Sequence, residues 1–575
     1  MLRTLSLGTQ RQPLSSNGSI ENLGNIQQVE KMDSSVKLLA TLLWLCLSGL
    51  LCLVAHGQVG QSLPDQTYIA PHVFTGSLYV GTLAKLTPRQ TAQLLQEFGS
   101  TPQQLILIGV SPQECDDGCA ASVAKAQWLG VDHHTSVGEL ASDERAQLAD
   151  DLVELGTKSC VWLREASLTS CDQATRAWIG EQLVACLGRG VTVCVECPPT
   201  PSASDTTSDV ALLESVPRGE VATTIAQGLS LVPWTELARD TGINLTPRST
   251  RATSAESVLV SLPAEAWVRV RGRELANLSA SGELTIVLPK TTHYPEDLIE
   301  RVEPRMVCDL VAARRALAER QRPAFPADHA YLPRMQQGSL VIVGGGGAPA
   351  EVWQKFIALA GGAEARIVVL PTAVPEPESD AAESRILKRF GAQAVRVLPQ
   401  IDRDEVSSAE YLANFEWATG VWFGGGRQWR FVDAYWGTPA WPAIIKVAER
   451  GGVIGGSSAG ATIQGDLLVR GHPLGNHVMV ADGYRRGLGL LPGVAIDQHF
   501  RQRNRFDDLA AVVKRFPQVL GVGIDEATAL VVEAPDKCSV IGQGSVWLSL
   551  PQQDPRSFIE RPSGSTFELK VNAQP

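Results

Sequence analysis

The chain has no basic patch and no excess of positive charge: 50 Lys and Arg stand against 61 Asp and Glu, a formal net charge of −11 over 575 residues. Such a balance offers a phosphate backbone no long-range attraction, so nucleic acid is not an expected partner. There is only one long apolar run, and the mean hydropathy of +0.01 leaves room for at most one membrane segment. Nor is the chain short of apolar residues. With 44% hydrophobic against 19% charged residues it can build several cores, and a globular protein of roughly two to four domains is expected. Metal-ligand patterning is thin as well. Outside the apolar run most cysteines (Cys115, Cys119, Cys160, Cys171, Cys186, Cys194 and Cys197) lie before residue 200, a density that suits disulfides. Cys194 and Cys197 make a C-x-x-C, and a structural zinc would need a second pair, for which Cys115 and Cys119 have a permissible spacing. No metal and no cofactor is expected.

The apolar run, LLATLLWLCLSGLLCLVA at 38–55, carries no charge, follows Lys37, and ends near Ala55 and Gly57. Small residues two apart suit signal-peptidase cleavage before Gln58, so 1–57 reads as a leader. The Ser, Asn and Gln-rich stretch 1–35 is long for an n-region, and a start at Met32 would leave an ordinary signal at 32–57. An uncleaved signal anchor is the alternative, since the run is at the lower edge of a spanning helix. Either way the remainder is expected to be exported, periplasmic or secreted, and to meet a membrane only through the leader.

Self-comparison finds a long repeat. GSLYVGTLAKLTPRQTAQLLQEFG from Gly76 aligns with GSLVIVGGGGAPAEVWQKFIALAG from Gly338. CVWLREASL from Cys160 aligns with GVWFGGGRQ from Gly420, and GLSLVP from Gly228 with GLGLLP from Gly487, all at offsets of about 260 residues. Two homologous halves follow, 60–320 and 337–575, joined across a proline-containing linker at 321–336. In each, short apolar runs (SLVIVG, RIVVLP, GVWFGG, GGVIGG) alternate with amphipathic patterns (AEVWQKFIALA, WPAIIKVAER). Strands buried on both faces and separated by helices imply a mostly parallel sheet flanked by helices. The stretch ATALVVEAPDKCSVIGQGSVWLSL reads as antiparallel hairpins.

The sharpest local feature is Gly455-Gly456-Ser457-Ser458-Ala459-Gly460-Ala461, which follows a short strand and opens a helix. Small residues around Ser458 permit the tight elbow that projects a serine hydroxyl from the top of a sheet. A helix beginning at Ala459 would aim N–H groups and its positive dipole end at an oxyanion. The bland alternative is a glycine-rich turn that binds phosphate or merely joins strand to helix. For a base, the second half offers His472, His477 and His499. The first two sit in the loop GHPLGNHV. His499, in AIDQHFRQRNRF, has Asp497 two residues earlier on the same strand face and Arg501, Arg503 and Arg505 after it, a set suited to an anionic substrate.

These residues resemble the serine peptidases typified by cyanophycinase and aspartyl dipeptidase. The likeness spans the second half through GSLVIVGGG, FGGGRQ, GGSSAGA, DQHF with its arginines, and GVGIDEATALVV. It implies a flavodoxin-like or glutaminase-like α/β fold, hence two tandem domains of that kind, and a Ser-His-acid site. Ser458 would be the nucleophile, His499 the base, and Glu526 the group orienting it, with Asp525 and Asp497 as second choices. The backbone N–H groups of Gly426 and Ala459 would form the oxyanion hole, with Arg427, Gln428, Asp497 and Arg503 near the substrate. The implied reaction is hydrolysis of amide bonds in Asp-containing peptides, or of cyanophycin to β-Asp-Arg dipeptides.

Two departures bear on the substrate. The family's turn reads Gly-Gly-Asp-Gln where this chain has Gly425-Gly426-Arg427-Gln428, and Asp508 stands where an arginine would be expected and would repel a substrate carboxylate. α-Aspartyl peptides are therefore a rival substrate, and a non-catalytic binding protein is the rival class. In the first half Cys197 and Pro198 take the places of Ser458 and Ala459, and proline removes an oxyanion donor. No histidine matches His499 there. His133 and His134 lie upstream and read as loop residues. The first half is thus expected to be a degenerate copy that serves as an intramolecular pseudo-dimer partner.

Overall fold

The computed structural model describes residues 77–81, 104–108, 133–135, 142–155, 159–164, 173–196, 229–233, 258–262, 267–279 and 282–569. The leader and Cys115, Cys119, Cys171, Cys197 and Pro198 lie outside them.

Apolar runs too short for helices become parallel strands where helices can cover both faces. In the first half these are β1 (Ser77–Gly81), β2 (Gln104–Ile108), β3 (His133–Thr135), β4 (Ser159–Arg164) and β5 (Thr192–Glu196), with α1 (Ser142–Val153) and α2 (Gln173–Gly188). After β6 (Leu229–Pro233) and β7 (Val258–Leu262) come β8 (Trp267–Arg271), β9 (Glu274–Asn277), β10 (Leu284–Leu288), β11 (Leu298–Val302) and β12 (Val307–Asp309). One sheet runs β3-β2-β4-β5-β1-β8-β9-β12 and a second β6-β7-β10-β11. Helix α3 (Leu310–Arg320) follows, its first turn capped by Asp309, which accepts from the Ala312 N–H at 2.8 Å.

The second half begins with β13 (Ser339–Val343), α4 (Ala350–Leu359), β14 (Arg366–Leu370), α5 (Ala382–Arg389), β15 (Ala394–Val397), α6 (Arg403–Ser407) and α7 (Ala409–Trp417). Next are β16 (Gly420–Phe423), α8 (Gln428–Tyr435), α9 (Ala440–Glu449), β17 (Val453–Ser457) and α10 (Ala459–Thr462). The chain continues through β18 (Gly465–Leu467), β19 (Leu491–Gln498), α11 (Phe506–Arg515), β20 (Leu520–Ile524), β21 (Thr528–Glu533) and β22 (Lys537–Gly542). It closes with β23 (Ser545–Ser549), β24 (Phe558–Pro562) and β25 (Thr566–Glu568). The large sheet is ordered β15-β14-β16-β17-β13-β21-β22-β25 and the smaller one β18-β19-β20-β23-β24. The first five strands of the large sheet pair in parallel and the last three are antiparallel. The eight-stranded sheet of the first half has the same succession of parallel and antiparallel neighbours.

Alternation along each central strand splits the core between the two faces of this sheet. Leu340, Ile342, Val421, Phe423 and Ile454 pack on one side. Val341, Val343, Trp422 and Val453 face Trp353 and Phe356 on the other. Phe356 meets Trp422 edge-on at 5.0 Å between ring centroids, and both are fully buried. Each such side chain contributes about 2–3 kcal/mol through burial.

Three expectations are corrected or refined. His133 and His134 are not in a loop: they open β3, which pairs in parallel with β2 at the edge of its sheet. The antiparallel hairpins expected over 528–549 are present but divided between two sheets: β21 and β22 pair in the large one, and β23 crosses to the smaller sheet beside β20. Asp525 pins that crossover, accepting the Ser545 N–H at 3.1 Å and the Trp547 indole N–H at 3.1 Å. Residues 321–336 do not hang as a free linker. Gln518 donates to the Ala327 carbonyl at 2.6 Å, Arg334 pairs with Asp536 at 3.0 Å, and Met335 is buried in the second half's core.

Helix α3 and the β8–β9 turn join the halves. Arg315, fully buried, donates to the Val432 carbonyl at 2.6 Å and lies over the rings of Trp436 and Tyr484. Arg273 reaches Asp433 at 2.8 Å and the Tyr484 hydroxyl at 2.6 Å, and also binds Asp309. Burial works against its charge, but Tyr484, Asp433 and Asp309 outweigh it and raise its pKa. Cys160, Cys186, Cys308 and Cys538 are buried thiols outside any disulfide. No metal-ligating cluster occurs among the described residues, and among them no helix is long and apolar enough to cross a membrane.

Candidate active site

Strand β17 ends by delivering Ser458 into a backbone conformation (φ 55°, ψ −110°) that side-chain-bearing residues rarely adopt. Glycine neighbours make the turn sterically feasible. A Cβ on Gly456 would stand 2.4 Å from the Gly460 carbonyl oxygen, and one on Gly460 would stand 2.2 Å from that of Phe423. The Ser458 N–H donates to the Val343 carbonyl at 3.0 Å, while the Ser458 carbonyl accepts from the N–H groups of Ala461 and Thr462. Helix α10 is a single turn of four residues. The expected dipole therefore reduces to local N–H groups.

His499 follows β19, also with a positive φ of 52°. Its Nε2 lies 2.9 Å from Ser458 Oγ, and its Nδ1 lies 2.5 Å from Glu526 Oε1. A carboxylate can only accept, so Nδ1 carries the proton and Nε2 is left to accept from the serine. The run of glycines after β13 supports this pair. The His499 N–H donates to the Gly344 carbonyl and the Ala527 N–H to that of Gly345, each at 2.7 Å. A Cβ on Gly345 would stand 2.2 Å from His499 Cε1, and one on Gly346 would stand 2.6 Å from Glu526 Cβ. The motif was legible in the sequence; its task of letting backbone press against the histidine was not. Burial pushes the His499 pKa down, and the charges of Arg503 and Arg505 act in the same direction against the hydrogen bond to Glu526. The ring is therefore neutral, and able to accept a proton, at lower pH than an ordinary histidine.

The turn after β16 closes the site from the other side. A Cβ on Gly425 would lie 3.7 Å from Ser458 Cβ, and the Arg427 N–H is tied to the Ala373 carbonyl at 2.8 Å. Among the described residues, the backbone N–H groups of Gly426 and Ala459 have no protein acceptor.

Other expected site residues are committed elsewhere. Asp497 is fully buried and shares its oxygens between Arg470 (3.0 Å) and Arg505 (2.7 Å), so it neither orients His499 nor meets substrate. Asp525 holds the β20–β23 crossover and pairs with Arg501 at 3.1 Å. Gln428 is buried, and its amide donates to the Val469 carbonyl at 2.7 Å, which makes it a support for the 468–478 loop. The arginines after His499 thus divide: Arg505 is internal, Arg501 is paired, and Arg503 is exposed beside the histidine. Asp508 does not stand as a bare negative charge, because Arg470 Nη2 donates to it at 2.6 Å. Sequence reading missed Arg470, which links Asp497, Asp508 and the Asn476 carbonyl. No local pattern marks it, since its partners are distant in the chain. His472 and His477 lie in that loop. The His472 carbonyl accepts from Arg427 at 2.9 Å, and burial lowers the His472 pKa.

A strand-turn-helix elbow that presents a serine hydroxyl to a carboxylate-bound imidazole belongs with the serine-type hydrolases. Comparison with known proteins narrows that class. The model for peptidase family S51 matches residues 340–539. Cyanophycinase from Trichormus variabilis (strain ATCC 29413 / PCC 7937) is 34% identical over 230 residues, covering 38% of this chain and 76% of that protein. Cyanophycinase from Geminocystis herdmanii (strain PCC 6308) is 34% identical over 219 residues, 36% of this chain and 79% of the other. A peptidase from an acI-B1 Actinobacterium of known structure is 23% identical, covers 41% of this chain and 98% of its own, and gives a TM-score of 0.31. The chain belongs to peptidase family S51, the family of the cyanophycinases, and is a serine-type peptidase.

Proposed function

We propose that the chain hydrolyses amide bonds of aspartate-containing peptides or polymers through an acyl-enzyme on Ser458. The observation that carries this reading is the continuous line from Ser458 Oγ through His499 to Glu526, at 2.9 and 2.5 Å. His499 Nε2 takes the serine proton as Oγ attacks the carbonyl, and Glu526 stabilises the imidazolium that forms. The imidazolium returns its proton to the departing amine, and water then releases the acyl group by the reverse sequence. The unaccepted N–H groups of Gly426 and Ala459 are suited to the oxyanion, where one donor typically lowers the barrier by about 3 kcal/mol. Cyanophycin enters as a reference polymer because relatives are named for it.

Two further parts belong to this reading. The halves are copies of one ancestral domain, supported by the matched strand order of their large sheets and by the sequence repeat. The first half has kept its fold as the second's internal partner and lost its chemistry. Export is supported by the leader pattern at 38–57 alone.

The test is dipeptide release from cyanophycin and cleavage of α- and β-aspartyl dipeptides by the full chain beside its Ser458→Ala variant, with fluorophosphonate labelling. Turnover and label that both vanish in the variant support the serine mechanism. Intact turnover in the variant would sink it.

A further inference from the structure

The turn that closes the site carries more positive charge than the surrounding carboxylates neutralise. Arg427 and Arg430, three residues apart at the start of α8, are both half-buried, and exposed Gly426 immediately precedes them. Burial lowers the pKa of each, and Arg273 and Arg427 push that of Arg430 down further. Among the described residues neither has a carboxylate within ion-pairing distance. Arg427 is held only by the His472 carbonyl at 2.9 Å. Arg430 lies over one end of Trp429, ring centroid at 4.3 Å, while Arg273 of the first half lies over the same ring at 4.4 Å.

Asp433 is the carboxylate that acts on Arg430, and both its oxygens are taken. Oδ2 accepts from Arg273 at 2.8 Å and Oδ1 from the Tyr484 hydroxyl at 2.6 Å. Asp309 is likewise spent on Arg273 and on capping α3. At the other end of the turn, Glu383 comes within 3.7 Å of where a Gly424 Cβ would stand, but it forms no ion pair with either arginine.

We infer that Arg427 and Arg430 form an anion subsite beside Ser458. A carboxylate carried by the substrate next to its scissile amide is bound there, and a guanidinium or ammonium in the same place is repelled. The inference rests on the catalytic reading above and narrows it: the preferred peptide is acidic on both counts rather than arginine-bearing. Half-buried guanidiniums that form no ion pair gain from an incoming carboxylate, because a low-dielectric wall strengthens the interaction. The first half contributes from a distance. Arg273 takes the ion-pairing positions of Asp433 and Asp309, and its own charge adds to the positive field at Arg430.

The test separates this claim from the chemistry. Ser458→Ala protein, which needs no catalysis to bind, is titrated calorimetrically with matched aspartyl peptides whose neighbouring residue is Glu, Gln or Arg. The expected order is Glu, then Gln, then Arg, with at least tenfold between the extremes that shrinks as salt is raised. Arg427→Gln keeps a donor for the His472 carbonyl, and Arg430→Gln leaves that contact alone. Each, in the Ser458→Ala background, should cut the Glu-to-Arg ratio at least threefold without a change in melting temperature. Equal affinities, or preference for the Arg peptide, overturn the subsite. Preference for Glu in a parent protein that neither turns over nor labels would overturn the catalytic reading and leave the subsite standing.

Discussion

At equivalent places in the two large sheets the register is the same, and what sets the two strands apart is the size of the residues they carry. In the first half Cys194 on β5 stands opposite Tyr79 and Trp162, and Val195 follows it opposite Val80 and Leu163. In the second half Gly455 on β17 stands opposite Val341 and Trp422, and Gly456 opposite Ile342 and Phe423. The strand order is shared, so the sheet tolerates either set. What glycine adds in β17 is close approach: a Cβ on Gly455 would be 2.7 Å from Phe356 and Trp422, and one on Gly456 would strike the Gly460 carbonyl. The elbow that exposes Ser458 depends on that missing volume. The first half has valine, Val195, at the second place, where the second half has Gly456.

The largest test of this contrast removes the residue at each of the two matched nucleophile positions. Ser458→Ala should lower kcat by roughly 10⁴- to 10⁶-fold with an unchanged melting temperature, whereas Cys197→Ala should leave turnover intact. Thiol-dependent activity that survives Ser458→Ala would reverse the assignment of the two halves. Gly456→Val writes the first half's residue into the second, and roughly a 10³-fold loss of kcat with loss of fluorophosphonate labelling is expected. A variant that still labelled at the parental rate would show that the elbow does not need the glycine.

The junction between the halves should come next. Arg315→Met removes a buried guanidinium from the Val432 carbonyl and from between Trp436 and Tyr484. A destabilisation of roughly 2–4 kcal/mol is expected from urea unfolding. A change under about 0.5 kcal/mol would mean that the first half is a passenger, not a packing partner.

The smallest effect is in pH dependence. A base acts when neutral, so a lowered His499 pKa places the acid limb of kcat/KM below pH about 6.5, the ordinary histidine value. Because the Arg503 charge helps to lower it, Arg503→Gln should move the limb to higher pH. A limb above pH about 7 in the parent, or no movement in the variant, would contradict the electrostatics described for the site.

Much of the second half is legible in its sequence. Unbroken apolar runs in SLVIV, RIVVL and GVWF mark strands buried on both faces, because successive side chains point to opposite sides of a sheet and here nearly all of them are apolar. The Ser458 elbow is readable for a related reason, since its requirement for small residues falls on immediate neighbours. The boundary of α10, the β23 crossover and the strapped 321–336 segment are less readable. Each depends on distant partners: Phe423 under Gly460, Asp525 under Ser545, and Gln518 beside Ala327.

The sequence by itself determined the alternating strands and helices, the glycine-tight turn at Ser458, and the short list of groups able to act with it. Tertiary structure alone decided which acid meets His499. Asp497, Asp525 and Glu526 were all near enough in the chain to be candidates, but the first two are consumed by Arg470, Arg505, Arg501 and the Ser545 N–H. It likewise decided that Asp508 pairs with Arg470 and that, among the described residues, Arg427 and Arg430 form no ion pair. Local geometry depends on adjacent residues and is written along the chain, whereas the pairing of charges depends on distances through space that only the closed fold creates.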